Sequence, residues 1–173
     1  MNSSSERTRT LVCRWGGFTL LLLLMAALET VPGFLSIFGI KPLFIVPLAL
    51  AVAVREDEFN AAFFGVVCGL VWDWVAARYV GGFALELALI CLLASVLTRV
   101  YLRVSTFNFC LITAACCWLV CSLDFLFSYE MAGYGHGPER YFFYVIPMVL
   151  YSAALSPLAY LTAGFIADRF VLE

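Results

Sequence analysis

Four carboxylates stand inside long apolar stretches of this chain: Glu29, Asp73, Glu86 and Asp124. A charged side chain in hydrocarbon is costly, so such residues face protein or water and point to a functional site by default. Asp73 has the most regular surroundings. Ala61, Gly65, Gly69, Asp73 and Ala77 recur at every fourth position, which on a helix makes one slowly winding stripe. Gly65 and Gly69 let a second helix backbone come close, and Asp73 follows one turn later on the same face. Two readings are open. Ala61, Gly65, Gly69 and Asp73 form a docking surface for a partner helix with a working acid, or they form a close-packed helix pair that tolerates one. Arg78 is the nearest cation in sequence, and an ion pair across about one turn lowers the cost of both charges.

Other site chemistries find less to build on. Cys117 and Cys121 share a helix face with Cys116 beside them, but the single histidine, His136, lies in a distant loop and no Cys-x-x-Cys spacing occurs. The thiols therefore read as small hydrophobes in a packed interior. No serine or cysteine has a histidine near it in sequence, and no glycine-rich loop stands at a phosphate-binding turn. Catalytic residues, metal ligands and a cofactor are accordingly not expected. With a net charge of −2 and no basic cluster, neither is nucleic-acid binding.

The elements that must position the acids follow from composition. The 173 residues are 64% hydrophobic and 13% charged, with a mean hydropathy of +1.00. Soluble domains have about 45–50% apolar and about 25% charged residues, so this is an integral membrane protein of one domain. Its reading is all-α, a polytopic bundle of six transmembrane helices. A polar tail, residues 1–14, precedes a first span at 15–31, which Pro32-Gly33 ends. Residues 34–40 are an interfacial stretch, and Lys41-Pro42 opens a short second span to 54, with Pro47 expected to bend it. The charged turn 55–58 leads to the Gly/Asp helix at 59–77. A Gly81-Gly82 turn opens a fourth helix at 83–97, a basic link spans 98–106, and a fifth helix covers 107–127. After the turn-rich break 128–140, a sixth helix at 141–166 carries Pro147 and Pro157 and is expected to kink; residues 167–173 form a closing tail. Trp15, Trp72, Trp74, Tyr79 and Tyr141 fall near span ends, as interfacial aromatics do.

Charge settles the short second span. With six crossings, Arg7, Arg9, Arg14, Arg55, Arg99, Arg103 and Arg169 share one side, against Lys41, Arg78 and Arg140 on the other, seven to three of the ten basic residues. Without that crossing the division is five to five. The excess of Arg and Lys on cytoplasmic loops favours six spans with both termini in the cytoplasm. Glu29, Asp73, Glu86 and Asp124 then all fall in the outer half of the membrane, a distribution expected of a polar cavity or partner groove open to the outside. Hydration at the interface is the competing account for Glu29 and Glu86.

The run Pro42-Leu43-Phe44-Ile45-Val46-Pro47-Leu48, a charged turn, then Gly65-Val66-Val67-Cys68-Gly69-Leu70-Val71-Trp72-Asp73 and Gly81-Gly82, resembles the bacterial rod shape-determining MreD family. The resemblance implies a non-enzymatic, multi-pass protein of the bacterial inner membrane, a scaffold of the cell-elongation complex that makes peptidoglycan. Its implied partners are the bitopic MreC and, directly or indirectly, the actin homologue MreB and the peptidoglycan polymerase–transpeptidase pair. That family is similar in fold to the S-component subunits of energy-coupling-factor transporters, so a small-molecule-binding subunit is the alternative, with Tyr129, Tyr134, His136 and the outer acids offering polar lining. A scaffold needs small-residue packing surfaces, which Ala61, Gly65 and Gly69 supply, and this reading is preferred. An enzyme acting on lipid-linked precursors has no converging catalytic set.

The topology is testable by cysteine labelling of intact cells. Probes placed in residues 133–139 should react from outside, and probes in residues 56–58 should not. Labelling of both loops from the same side would remove the six-span arrangement.

Overall fold

The computed structural model describes residues 3–33, 35–36, 39–76, 81–100, 105–127 and 137–169. They form α1 (Ser3–Thr30), α2 (Ile45–Ala53), α3 (Glu58–Val75), α4 (Gly82–Val100), α5 (Thr106–Phe125) and α6 (Ile146–Arg169). A single helical turn (Gly137–Arg140) and a π-helical turn (Tyr141–Val145) lead into α6. Five of these stretches are long and apolar enough to cross a membrane: Thr8–Thr30, Glu58–Val75, Gly82–Val100, Thr106–Phe125 and Tyr141–Arg169. The chain is thus a multi-pass membrane protein of helices. The helix of α1 begins well before residue 15, so the polar tail expected at residues 1–14 is helical from Ser3.

The second segment departs from the expected span. As a helix α2 has only nine residues, about 13–14 Å, roughly half of the hydrocarbon thickness of about 30 Å. Residues 41–43 before it are non-helical and reach up to about 3.3–3.6 Å each. All nine residues of α2 are buried. Non-helical backbone is tolerated at membrane depth only where protein encloses it, and here the long helices do so. Pro47 does not bend α2. It lies in the first turn, where its absent N–H has no helical acceptor to reach, and the first bond runs from the Leu48 N–H to the Phe44 carbonyl at 3.3 Å.

Contacts between the elements show the chain passing back and forth between two ends. At one end Arg14 meets Glu56 at 2.5 Å, Arg99 meets Asp57, and the Arg55 guanidinium lies 3.9 Å from the centre of the Tyr160 ring. The Ser95 hydroxyl donates to the Glu56 carbonyl at 3.0 Å. At the other end Lys41 donates to the Val31 carbonyl at 2.7 Å, and Ser122 bonds Tyr141 at 2.7 Å. Thus α1 leaves the arginine end, α2 returns to it, and α3 to α6 continue the alternation. Burial pushes the Glu56 carboxyl above the usual carboxylate range, and the Arg14 guanidinium pulls against that shift.

The bundle is tightest between α3 and α4. A Cβ placed on Gly69 would stand 2.3 Å from the Ala84 Cα and 2.9 Å from the Phe83 carbonyl; one on Gly65 would stand 2.9 Å from the Leu87 carbonyl. Only hydrogen fits at these two positions, so the backbones touch directly. Across the bundle Phe18 stacks against Phe64 with ring centres 6.0 Å apart, and Phe109 meets Tyr160 at 4.8 Å. In α6 the ring of Pro157 removes the bond due to the Ala153 carbonyl. The Ser156 hydroxyl replaces it, donating at 2.7 Å.

Gly69→Ala should lower thermal stability in detergent by about 1–3 kcal/mol, and Gly65→Ala by somewhat less. Gly16→Ala, where an added Cβ meets nothing within 4 Å, should leave it unchanged. Equal melting curves for Gly69→Ala and wild type would show that the helices can part at no cost.

Candidate functional site

Four residues of the stripe lie on the inward face of α3, with α4 of the same chain against Gly65 and Gly69; Ala77 lies outside the described residues. Ala61, Gly65, Gly69 and Asp73 are all buried, Asp73 to 2% exposure. A partner helix therefore does not have this face open to it. Of the two readings, the close-packed helix pair is the one seen at Gly65 and Gly69: small residues at this spacing announce a close backbone, and α4 of the same chain supplies it. Asp73 has a local task. Its Oδ2 accepts the Gly81 N–H at 2.7 Å, closing the turn that feeds α4. The Arg78 partnership lies outside the described residues.

A cavity of about 320 Å³ opens at the end opposite the arginines. Glu29 of α1, Lys41 and Leu43 of the non-helical segment, Trp72 and Ala76 of α3, Phe83 of α4, Asp124 of α5 and Met148 of α6 all line it. Two of the four acids, Glu29 and Asp124, therefore meet in one wall although nearly a hundred residues of chain separate them. Glu86, on α4, is not in the lining. Asp73 is not in the lining.

Most of the hydrogen bonds around the cavity serve the backbone. The Glu29 Oε1 accepts the Phe44 N–H at 3.3 Å, and the Ser152 hydroxyl accepts the Leu43 N–H at 2.8 Å. These are amides at the start of α2, which water would otherwise have to satisfy. Ser152 also donates to the Met148 carbonyl at 2.7 Å, so one hydroxyl serves both helices. The Lys41 ammonium donates to the Val31 carbonyl and, at 3.3 Å, to the Glu29 carbonyl, capping the negative end of α1. Among the described residues that line the cavity, two buried polar atoms have no hydrogen-bond partner: the second Glu29 oxygen, Oε2, and the Trp72 indole Nε1.

Lys41, Ser152 and Trp72 were not among the residues singled out for the site. Lys41 carried one available signal, a lone cation between apolar runs and a few residues past the end of α1. Ser152 carried none, since a serine in a membrane helix commonly bonds its own backbone. Cys117 and Cys121 are free thiols buried among apolar groups. His136, Tyr129 and Tyr134 lie outside the described residues.

Fold and site together define a multi-pass helical membrane protein with a mainly apolar cavity at one end of its bundle, bordered by Glu29, Lys41 and Asp124. Comparison with protein-family models, with curated proteins and with solved structures finds no match.

Asp73→Leu removes the acceptor of the half-buried Gly81 amide and should cost about 1–3 kcal/mol of stability, whereas Asp73→Asn keeps an acceptor and should retain most of it. Thermal unfolding of the purified variants separates these. A Leu variant as stable as wild type would show that water satisfies Gly81 and that Asp73 has no structural task.

Proposed function

We propose that the chain is a non-enzymatic scaffold of the bacterial cell-elongation complex, resident in the inner membrane with both termini in the cytoplasm. Its direct partner is a bitopic protein such as MreC. Through it, or beside it, the chain serves MreB and the peptidoglycan polymerase–transpeptidase pair. The observation that carries this reading is the coherence of the residues that resemble the MreD family. Gly65, Gly69, Asp73 and Gly81 act as one device, two glycines joining α3 to α4 and the acid tying off the turn between them. The Pro42–Leu48 run likewise starts the enclosed helix at the centre of the bundle. The grouping of Arg14, Arg55 and Arg99 at one end agrees with a cytoplasmic arginine side.

Because α4 covers the glycine stripe, a partner's helix meets the bundle on the faces left open. On α3 these carry Phe59, Phe63 and Trp74, all strongly exposed. The alternative, an S-component-like subunit of an energy-coupling-factor transporter, draws support from the cavity at the Glu29 end.

Affinity purification of the tagged chain from bacterial membranes, with identification of what accompanies it, distinguishes the two. Recovery of MreC is expected. Recovery of an energising ATPase module without MreC would overturn the scaffold reading in favour of the transporter.

A further inference from the structure

The cavity at the Glu29 end holds groups whose needs the protein itself leaves unmet. Glu29 is only 9% exposed; one oxygen is taken by the Phe44 amide and the other, Oε2, has no donor. Trp72, in the same wall, has a buried indole N–H with no acceptor. A buried polar group without a partner costs about as much as a lost hydrogen bond, and here two of opposite sense line one space. That space is at the small end of ligand pockets, about 300–1,000 Å³, and has the usual apolar walls, including Leu43, Phe83 and Met148. Its charged lining is Glu29, Lys41 and Asp124, and the need that Glu29 Oε2 leaves open is for a hydrogen-bond donor.

A hard metal ion does not suit it, since such ions take six or more oxygens and no group of three or more ligating side chains occurs among the described residues. A primary ammonium does, because it offers several N–H donors to single acceptors. We propose that this cavity binds a primary-ammonium group, with Glu29 Oε2 receiving an N–H and the Trp72 N–H donating to an oxygen of the same molecule. The chemistry is that of an aminoethanol unit, whether free or as the headgroup of an aminophospholipid. The site stands independently of the scaffold role.

The test uses the full chain purified in detergent and titrated in native mass spectrometry with two matched pairs. These are short-chain phosphatidylethanolamine against phosphatidylcholine, and ethanolamine against choline. The trimethylated member of each pair has no N–H to give. The primary amine should bind at least tenfold tighter in one pair: the lipid pair identifies a headgroup, the free pair a soluble amine. Glu29→Gln keeps an acceptor for Phe44 but can turn a donor toward the ligand, and it should abolish the preference. Trp72→Phe keeps the ring and should weaken binding three- to tenfold, which decides the matter if Glu29→Gln fails to fold. Absence of preference in both pairs, or a preference untouched by the variant that folds, would overturn the site and leave a water-filled cavity.

Discussion

A helix that starts inside a membrane protein exposes backbone N–H groups where no water can reach them, and the arrangement of this bundle answers that constraint. The backbone of residues 41–44 is not yet helical when it enters the interior. Its amides at Leu43 and Phe44 are met by Ser152 from α6 and Glu29 from α1. With them satisfied, nine apolar residues of α2 can be buried without residue. The long helices then have a common surface to pack on, and their own outward faces remain free for lipid. The acid that completes this enclosure also borders the cavity, and its second oxygen has no hydrogen-bond partner.

The two ends of the bundle solve charge differently. At the arginine end cations and carboxylates find each other: Arg14 with Glu56, and Arg99 with Asp57 and Glu58. Glu56 is buried and Arg14 half-buried, whereas the Arg99 pairs are exposed and contribute little. At the opposite end Lys41 is committed to helix carbonyls, which leaves acids gathered around a space.

Much of this was legible in the residue order, and the failures are instructive. Glycines four apart reported a close backbone approach correctly, because that inference depends only on the missing side chain. They could not report whose backbone it was, since α4 follows within a few residues and closes the hairpin before any partner arrives. Uneven placement of Glu29, Asp73, Glu86 and Asp124 suggested a polar cavity or partner groove; Glu29 and Asp124 border a cavity at one end, and its walls are mainly apolar. Asp73 left that set because a local amide, the Gly81 N–H, is a nearer claimant than a ligand. The half-length of α2 was hidden in continuous hydropathy from residue 42 to 54, which is blind to where hydrogen bonding begins. Contacts such as Leu43 with Ser152 join residues more than a hundred positions apart, and no periodicity encodes them.

Hydrogen–deuterium exchange on the protein in lipid nanodiscs tests the enclosed helix most directly. If the bundle is built around α2, the Leu43 and Phe44 amides and those of α2 exchange as slowly as the glycine-packed centre of α3. Exchange of Leu43 and Phe44 as fast as the amides of the exposed turn at residues 57–58 would contradict the account, because it would place water where Ser152 and Glu29 are held to replace it.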